Sequence, residues 1–186
     1  MNQYFGKYFF LEDKKMRIGS VVLLLLFLAA CGPVKKTWIS SPSTQQVQNA
    51  DFSARLTPLK RDKEHFVSFR LFIDNKTGQN LKIDWNQTRY LVNGKSYGKV
   101  VFPDIDPATI KTSIPPAIIP AGGTFSKEVF PVKLVAFAPM REEMLDKEGR
   151  GLYPGPLPEG KNSIDLKIYK GDRLMRQRIT VDIVQE

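Results

Sequence analysis

Residues 66–74 read Phe-Val-Ser-Phe-Arg-Leu-Phe-Ile-Asp. Val67, Phe69, Leu71 and Ile73 fall on one face of an extended chain. Ser68 and Arg70 fall on the other, with Phe66 and Phe72. Period two with β-branched and aromatic residues predicts a strand with one buried face. The stretch runs into Asn75-Lys76-Thr77-Gly78, a turn in which glycine is expected to supply positive φ. Upstream, Phe52, Ala54 and Leu56 alternate with Ser53 and Arg55. Downstream, Leu81, Ile83 and Trp85 alternate with Lys82 and Asp84. Tyr90-Leu91-Val92 then meets Asn93-Gly94, a strong hairpin signal, and Lys95-Ser96-Tyr97 leaves it. Val100-Val101-Phe102 continues that strand or starts the next.

The rest of the chain keeps this rhythm, with interruptions. Residues 103–120 carry Pro103, Pro107, Pro115, Pro116 and Pro120, which have no place in a central strand, and read as a long loop. Gly122-Gly123 leads into strand-like Phe125, Val129 and Phe130. Lys133–Ala138 is a strand or a loop, and a helix of one or two turns is expected at about 140–147. A final hairpin pairs Ile164, Leu166 and Ile168 with Ile179, Val181 and Ile183 around Gly171-Asp172. Seven or eight short strands with at most one short helix predict an all-β chain, an Ig-like antiparallel β-sandwich over residues 50–186. The Cys…Trp…Cys spacing of antibody domains is absent.

Composition narrows the function. The chain has 186 residues, 28 Lys+Arg, 19 Asp+Glu, one His and one Cys, for a net charge of +9. A single Cys excludes an internal disulfide, and a single His excludes a metal site built on two histidines. The first thirty residues stand apart. Lys14, Lys15 and Arg17 precede an apolar run from Ile18 to Ala30, too short for the roughly 20 residues of a membrane-spanning helix. A basic segment, an apolar core of this length and small residues after it make a secretory signal peptide, residues 1–30. Tyr4, Phe5, Tyr8, Phe9 and Phe10 are unusual in such a leader, and Met16 offers a more compact start.

Leu28-Ala29-Ala30-Cys31, behind that run, resembles the lipobox of bacterial lipoproteins. The resemblance implies cleavage before Cys31 and lipidation of Cys31, which attaches the chain to a membrane. Gly32 in place of Asp implies the outer membrane, facing the periplasm, or the outer face of the membrane in a cell that has only one. Residues 31–186 would carry a net charge of +7. Residues 31–49, rich in Ser, Thr, Gln and Asn, read as a flexible lipidated tether with an r.m.s. reach of about 25 Å. Trp38 and Ile39 within it either meet the lipid interface or pack on the domain. The stretch Phe69 to Trp85 is similar to small Ig-like domains found behind lipoboxes in bacterial envelopes. That likeness implies place and fold, not chemistry.

Candidate chemistry is sparse. His65 lacks a nucleophile turn and an orienting acid, so it reads as a strand-end histidine. Asp104 and Asp106 lack the rhythm of a calcium loop and read as turn caps beside Pro103 and Pro107. Glu142, Glu143, Asp146 and Glu148 read as one solvated helix face. No catalytic residue, metal or cofactor is expected. Ile110, Ile114, Ile118 and Ile119, in the Pro-rich segment, either cover the sandwich or offer an extended segment to a partner. Lys167, Arg176 and Arg178 share a strand face, where they either meet an anionic or acidic partner or keep an edge strand from aggregating. Nucleic acid is a poor partner for an envelope protein. The leading expectation is a non-enzymatic envelope lipoprotein that binds a protein partner or supports an assembly. The alternative is a binder of cell-wall glycan or anionic lipid, which needs Trp85, Tyr90, Tyr97 and Tyr153 exposed together in a groove rather than packed in the core of the sandwich.

Overall fold

A computed structural model of the protein describes residues 37–61, 64–137 and 152–186. The signal segment, Cys31, the helix expected at 140–147 and its four acids lie outside these residues. In chain order the strands are β1 (Trp38–Ser41), β2 (Gln45–Gln48), β3 (Phe52–Lys60), β4 (Phe66–Asn75), β5 (Leu81–Ile83), β6 (Arg89–Val92) and β7 (Lys95–Val101). A short helix α1 (Pro107–Lys111) follows, then β8 (Ala117–Ile119), β9 (Thr124–Pro131) and a 3-10 turn at Val132–Leu134. The remaining strands are β10 (Val135–Phe137), β11 (Leu152–Pro154), β12 (Gly160–Lys170) and β13 (Arg173–Gln185).

Every pairing is antiparallel, in the order β1-β13-β12-β6-β7-β9-β4-β3-β2. β5 joins β12, and β8 joins β5; β10 and β11 form a separate pair. The sheet curls into a sandwich, so β13 packs over β3 and β2. The turning point is β7. It pairs with β6 through Lys95–Lys99 and with β9 through Val100 and Val101. A bulge opposite Tyr90 and Leu91 bends the strand there, and Gly98 takes a φ of 137° that L side chains avoid.

The core follows the period-two reading. Phe52, Ala54 and Leu56 of β3 and Phe69, Leu71 and Ile73 of β4 meet Ile164, Leu166, Ile168, Ile179, Val181 and Ile183 across the sandwich. Burying each larger apolar side chain of this kind is worth roughly 1.5–3 kcal/mol. Asn93 and Gly94 sit at φ 49° and 79°, the twisted turn the Asn-Gly pair predicts.

Four expectations change. The strands outnumber the seven or eight expected, because β1, β2, β8, β10 and β11 are three or four residues long, too short to show a period. The flexible tether over 31–49 is shortened. Thr37 N–H donates to Glu186 O at 2.7 Å, and Trp38–Ser41 pair with Gln185–Asp182. Edge pairing uses backbone groups, so a polar, aperiodic stretch satisfies it. Trp38 therefore packs half-buried on the domain, its ring 5.7 Å from that of His65. Gly78 is not in the left-handed region; Asn75 organises that turn instead. Lastly, the Pro-rich segment is not a bare loop but holds α1 and β8.

Candidate functional site

Alternation along β12 sends Asn162, Ile164, Leu166 and Ile168 inward and Ser163, Asp165, Lys167 and Tyr169 to the outer face of their sheet. Across β13 their partners are Thr180, Arg178, Arg176 and Leu174. On the other side Arg89 of β6 lies opposite Asp165, and Lys82 of β5 opposite Tyr169. Between β5 and β6 a turn keeps β12 paired. Asp84 N–H donates to Lys167 O, and Lys167 N–H donates to buried Thr88 Oγ1 at 3.2 Å.

Asp165 is the centre of this face. It is only 4% exposed. Arg176 donates to it from Nε, at 3.0 Å to both carboxylate oxygens, and from a terminal nitrogen at 2.5 Å. Lys167 Nζ stands 3.7 Å away and Arg178 3.9 Å away. Burial alone would raise the Asp165 pKa. The Arg176 hydrogen bonds and the charges of Lys167, Arg176 and Arg178 outweigh it and hold the carboxyl below its usual value. The three cations predicted from the sequence thus come together, and the carboxylate they share is the residue that sequence reasoning missed. One charge of −1 among three of +1 leaves the cluster positive.

A second clamp ties the tip of the β12–β13 hairpin to the start of β3. Lys170 donates to Asp51, and Arg173 donates to the other carboxylate oxygen at 3.3 Å. The Lys170 hydrogen bond and the nearby positive charges hold the Asp51 pKa down against the opposing effect of burial.

The other candidates separate. Ile114 and Ile119 are fully buried, and Ile110 packs half-buried on the core, so these three cover the sandwich rather than await a partner. Asn86 fixes Ile114, accepting its N–H at 3.0 Å and donating to its carbonyl at 2.8 Å. Only Ile118 is exposed, at 53%. An aromatic platform for glycan does not form on Trp85 and Tyr90, which are both buried. Trp85 sits against Phe102 and Phe125, and the Tyr90 hydroxyl donates to Asn162 Oδ1. Tyr97 is half-buried edge-on to Tyr90, 5.9 Å away; the Tyr153 side chain lies outside the description.

Asp106 accepts from Ala108 N–H at 2.9 Å and caps α1, while Asp104 pairs with Lys127 at 3.0 Å. His65 is exposed. No group of three or more metal-ligating side chains occurs among the described residues, and no helix among them is long and apolar enough to cross a membrane. No family model matches the chain, and searches of curated proteins and of solved structures find no match.

Proposed function

We propose that this protein is a non-enzymatic lipoprotein of the bacterial envelope, anchored through lipid on Cys31, whose sandwich binds an anionic surface through the outer face of β12 and β13. The binding half rests on one observation: Lys167, Arg176 and Arg178 converge on the single carboxylate of Asp165 and leave excess positive charge at a fixed place. The sheet holds these charges in register, so a ligand meets a preformed array. The anchor half rests on Leu28-Ala29-Ala30-Cys31 behind its apolar run. The outer membrane, facing the periplasm, is the proposed place, on the strength of Gly32. A protein partner held by the Pro-rich segment keeps only Ile118 of its four isoleucines.

Two measurements test this. Cells fed a labelled fatty acid should label the wild-type chain but not Cys31→Ser. Full-length protein in detergent, applied to a phosphate-bearing resin, should elute at lower salt when Lys167 and Arg178 are changed to Gln. Changing Arg55 and Arg70 to Gln removes the same charge from the opposite outer face and should shift elution less. Equal shifts would reduce the binding to net charge and overturn the assignment of the face.

A further inference from the structure

The cation cluster is not alone on its face. The next row toward the hairpin tip reads Ile118, Lys82, Tyr169, Leu174 across β8, β5, β12 and β13. Ile118 and Leu174 are the exposed large hydrophobic residues among those described, at 53% and 46%, and they occupy the two ends of this one row. Between them Lys82 Nζ stands 5.2 Å from the Tyr169 ring centroid, and the Tyr169 hydroxyl accepts from Gln87 Nε2 at 2.9 Å. Four strands at ~4.8 Å make the row about 14 Å wide. Lys167 and Arg176 form the row beside it, about 7 Å along the strands, and Arg89, Asp165 and Arg178 form the row beyond that. Within these three rows stand five cations (Lys82, Arg89, Lys167, Arg176, Arg178) and two carboxylates, Asp84 and Asp165; farther along the same face Lys161 and Asp182 add one charge of each sign.

We infer that this face lies on an anionic bilayer, with Leu174 and Ile118 seated at the headgroup boundary and the cations against lipid phosphates. The inference rests on the proposed anchor and names the anionic surface of that reading. Three observations favour a bilayer over an acidic protein. The face is the outer side of a β-sheet, on which these side chains stand in neighbouring rows. Its apolar side chains flank a lysine and a tyrosine, the amphipathic pair that sits at a membrane interface. The chain enters the fold at Thr37, so only six residue steps separate it from Cys31, an extended length of at most ~22 Å. A tether this short holds the face at high effective concentration over the lipid. It also separates two postures. Leu174 lies twelve residues along β13 from Glu186, about 40 Å from the Thr37 end. An upright domain therefore carries Leu174 far from the bilayer, and a domain lying on this face brings it into contact.

The posture is measurable, because Cys31 is the chain's one cysteine and lipid occupies its thiol. The lipidated protein carrying Leu174→Cys, labelled with a fluorescent donor, is reconstituted into vesicles bearing a headgroup acceptor. The vesicles are phosphatidylcholine alone or mixed with phosphatidylglycerol. Arg70→Cys reports from the opposite outer face. Energy transfer from position 174 should be severalfold greater in phosphatidylglycerol vesicles and should fall as salt rises, while position 70 stays low in both. Changing Lys167, Arg176 and Arg178 together to Gln should abolish the difference, and changing Arg55 with Lys127 to Gln should not. Equal transfer in both lipids, or equal transfer from positions 70 and 174, overturns the docking. Transfer that appears only in native membranes, and is lost when their proteins are digested, overturns it in favour of an acidic protein. A chain that fails to float with neutral vesicles overturns the anchor instead. Salt-sensitive flotation with phosphatidylglycerol vesicles, lost in the Lys167, Arg176 and Arg178 variant, then still supports the face, and its absence overturns it.

Discussion

Asn75 should be the most sensitive polar position in the fold. It closes β4, is buried, and reaches three segments at once. Its Nδ2 faces the carbonyls of Gln79 at 2.8 Å, Ile119 at 3.2 Å and Pro120 at 2.7 Å. Its Oδ1 accepts from Thr77 N–H at 3.0 Å and from Thr77 Oγ1 at 2.9 Å. Two amide hydrogens cannot satisfy three carbonyls in full, so about four effective bonds are at stake, each worth roughly 0.5–1.5 kcal/mol. Asn75→Ala should therefore cost about 4 kcal/mol, a large share of the 5–15 kcal/mol typical of a domain. Asn75→Asp should cost more than alanine, even though it keeps both bonds from Thr77, because it sets a carboxylate against three carbonyl oxygens. Urea unfolding followed by tryptophan fluorescence gives both values. Hydrogen exchange should show β8 losing protection first, since β5 is its one partner strand among the described residues. An aspartate variant more stable than the alanine variant would refute the reasoning, because it would make Oδ1 the working atom and the three donated bonds incidental.

Trp85→Ala should cost about 3–5 kcal/mol through the cavity left against Phe102 and Phe125, read from the same unfolding curves. Tyr90→Phe removes a buried bond and strands Asn162 Oδ1, at about 1–2 kcal/mol; in the wild type, burial lifts the Tyr90 pKa, so no phenolate absorbance from it should develop until well above pH 10. Asp51 and Asp165 both have depressed pKa values in the folded chain. Their contribution to stability is complete above the unfolded carboxyl pKa, near 4, and drains away as pH falls through the lower folded values. Acid unfolding titrations should show a shallower loss for Asp51→Asn and for Asp165→Asn than for the wild type. Asp165→Asn should lower neutral-pH stability by roughly 1 kcal/mol while raising transfer from position 174 in anionic vesicles, since the face gains a net positive charge.

The sequence carried the long strands because each buries one face. In β4 Phe69, Leu71 and Ile73, and in β12 Ile164, Leu166 and Ile168, are buried as the period-two reading expects, whereas Val67 is only half-buried at the end of β4, where the pairing with β3 is irregular. What it hid has three physical causes. β1 and β2 are built on backbone pairing to open edges, which leaves no trace in hydropathy, so their polar residues read as linker. Ile114 and Ile119 sit among prolines with no period, and whether they point in or out depends on Asn86 and Asn75, far away in sequence. Asp165 is an ordinary outward residue of an alternating strand. Only the register of β13, which brings Arg176 and Arg178 beside it, marks it as the carboxylate three cations share. Lys167, Arg176 and Arg178 were legible as one face because two strands of known spacing meet at a turn.

That legibility left two roles open for the same arginines, and the structure sharpens the choice. β1 covers β13 only from Asp182 to Gln185, so Arg176 and Arg178 also lie along a stretch of β13 with no partner strand on its far side among the described residues. Charge on such an edge resists strand-to-strand aggregation whatever its sign. Docking on phosphate requires positive charge. Reversing Arg178 to Glu separates the two. The edge stays charged, so the protein should remain monomeric and soluble, at a modest cost in stability because a carboxylate then replaces the guanidinium that stands 3.9 Å from Asp165. Docking should fall by more than the loss of one cation, because two units of charge are removed from the face. Arg178→Val does the opposite experiment: it loses one unit and leaves a bare, β-prone edge. If edge protection is the whole role, the valine variant aggregates and Arg178→Glu behaves as wild type in every lipid. If the face reads anionic lipid, Arg178→Glu is soluble yet holds position 174 away from phosphatidylglycerol vesicles, and charge as such cannot explain that result.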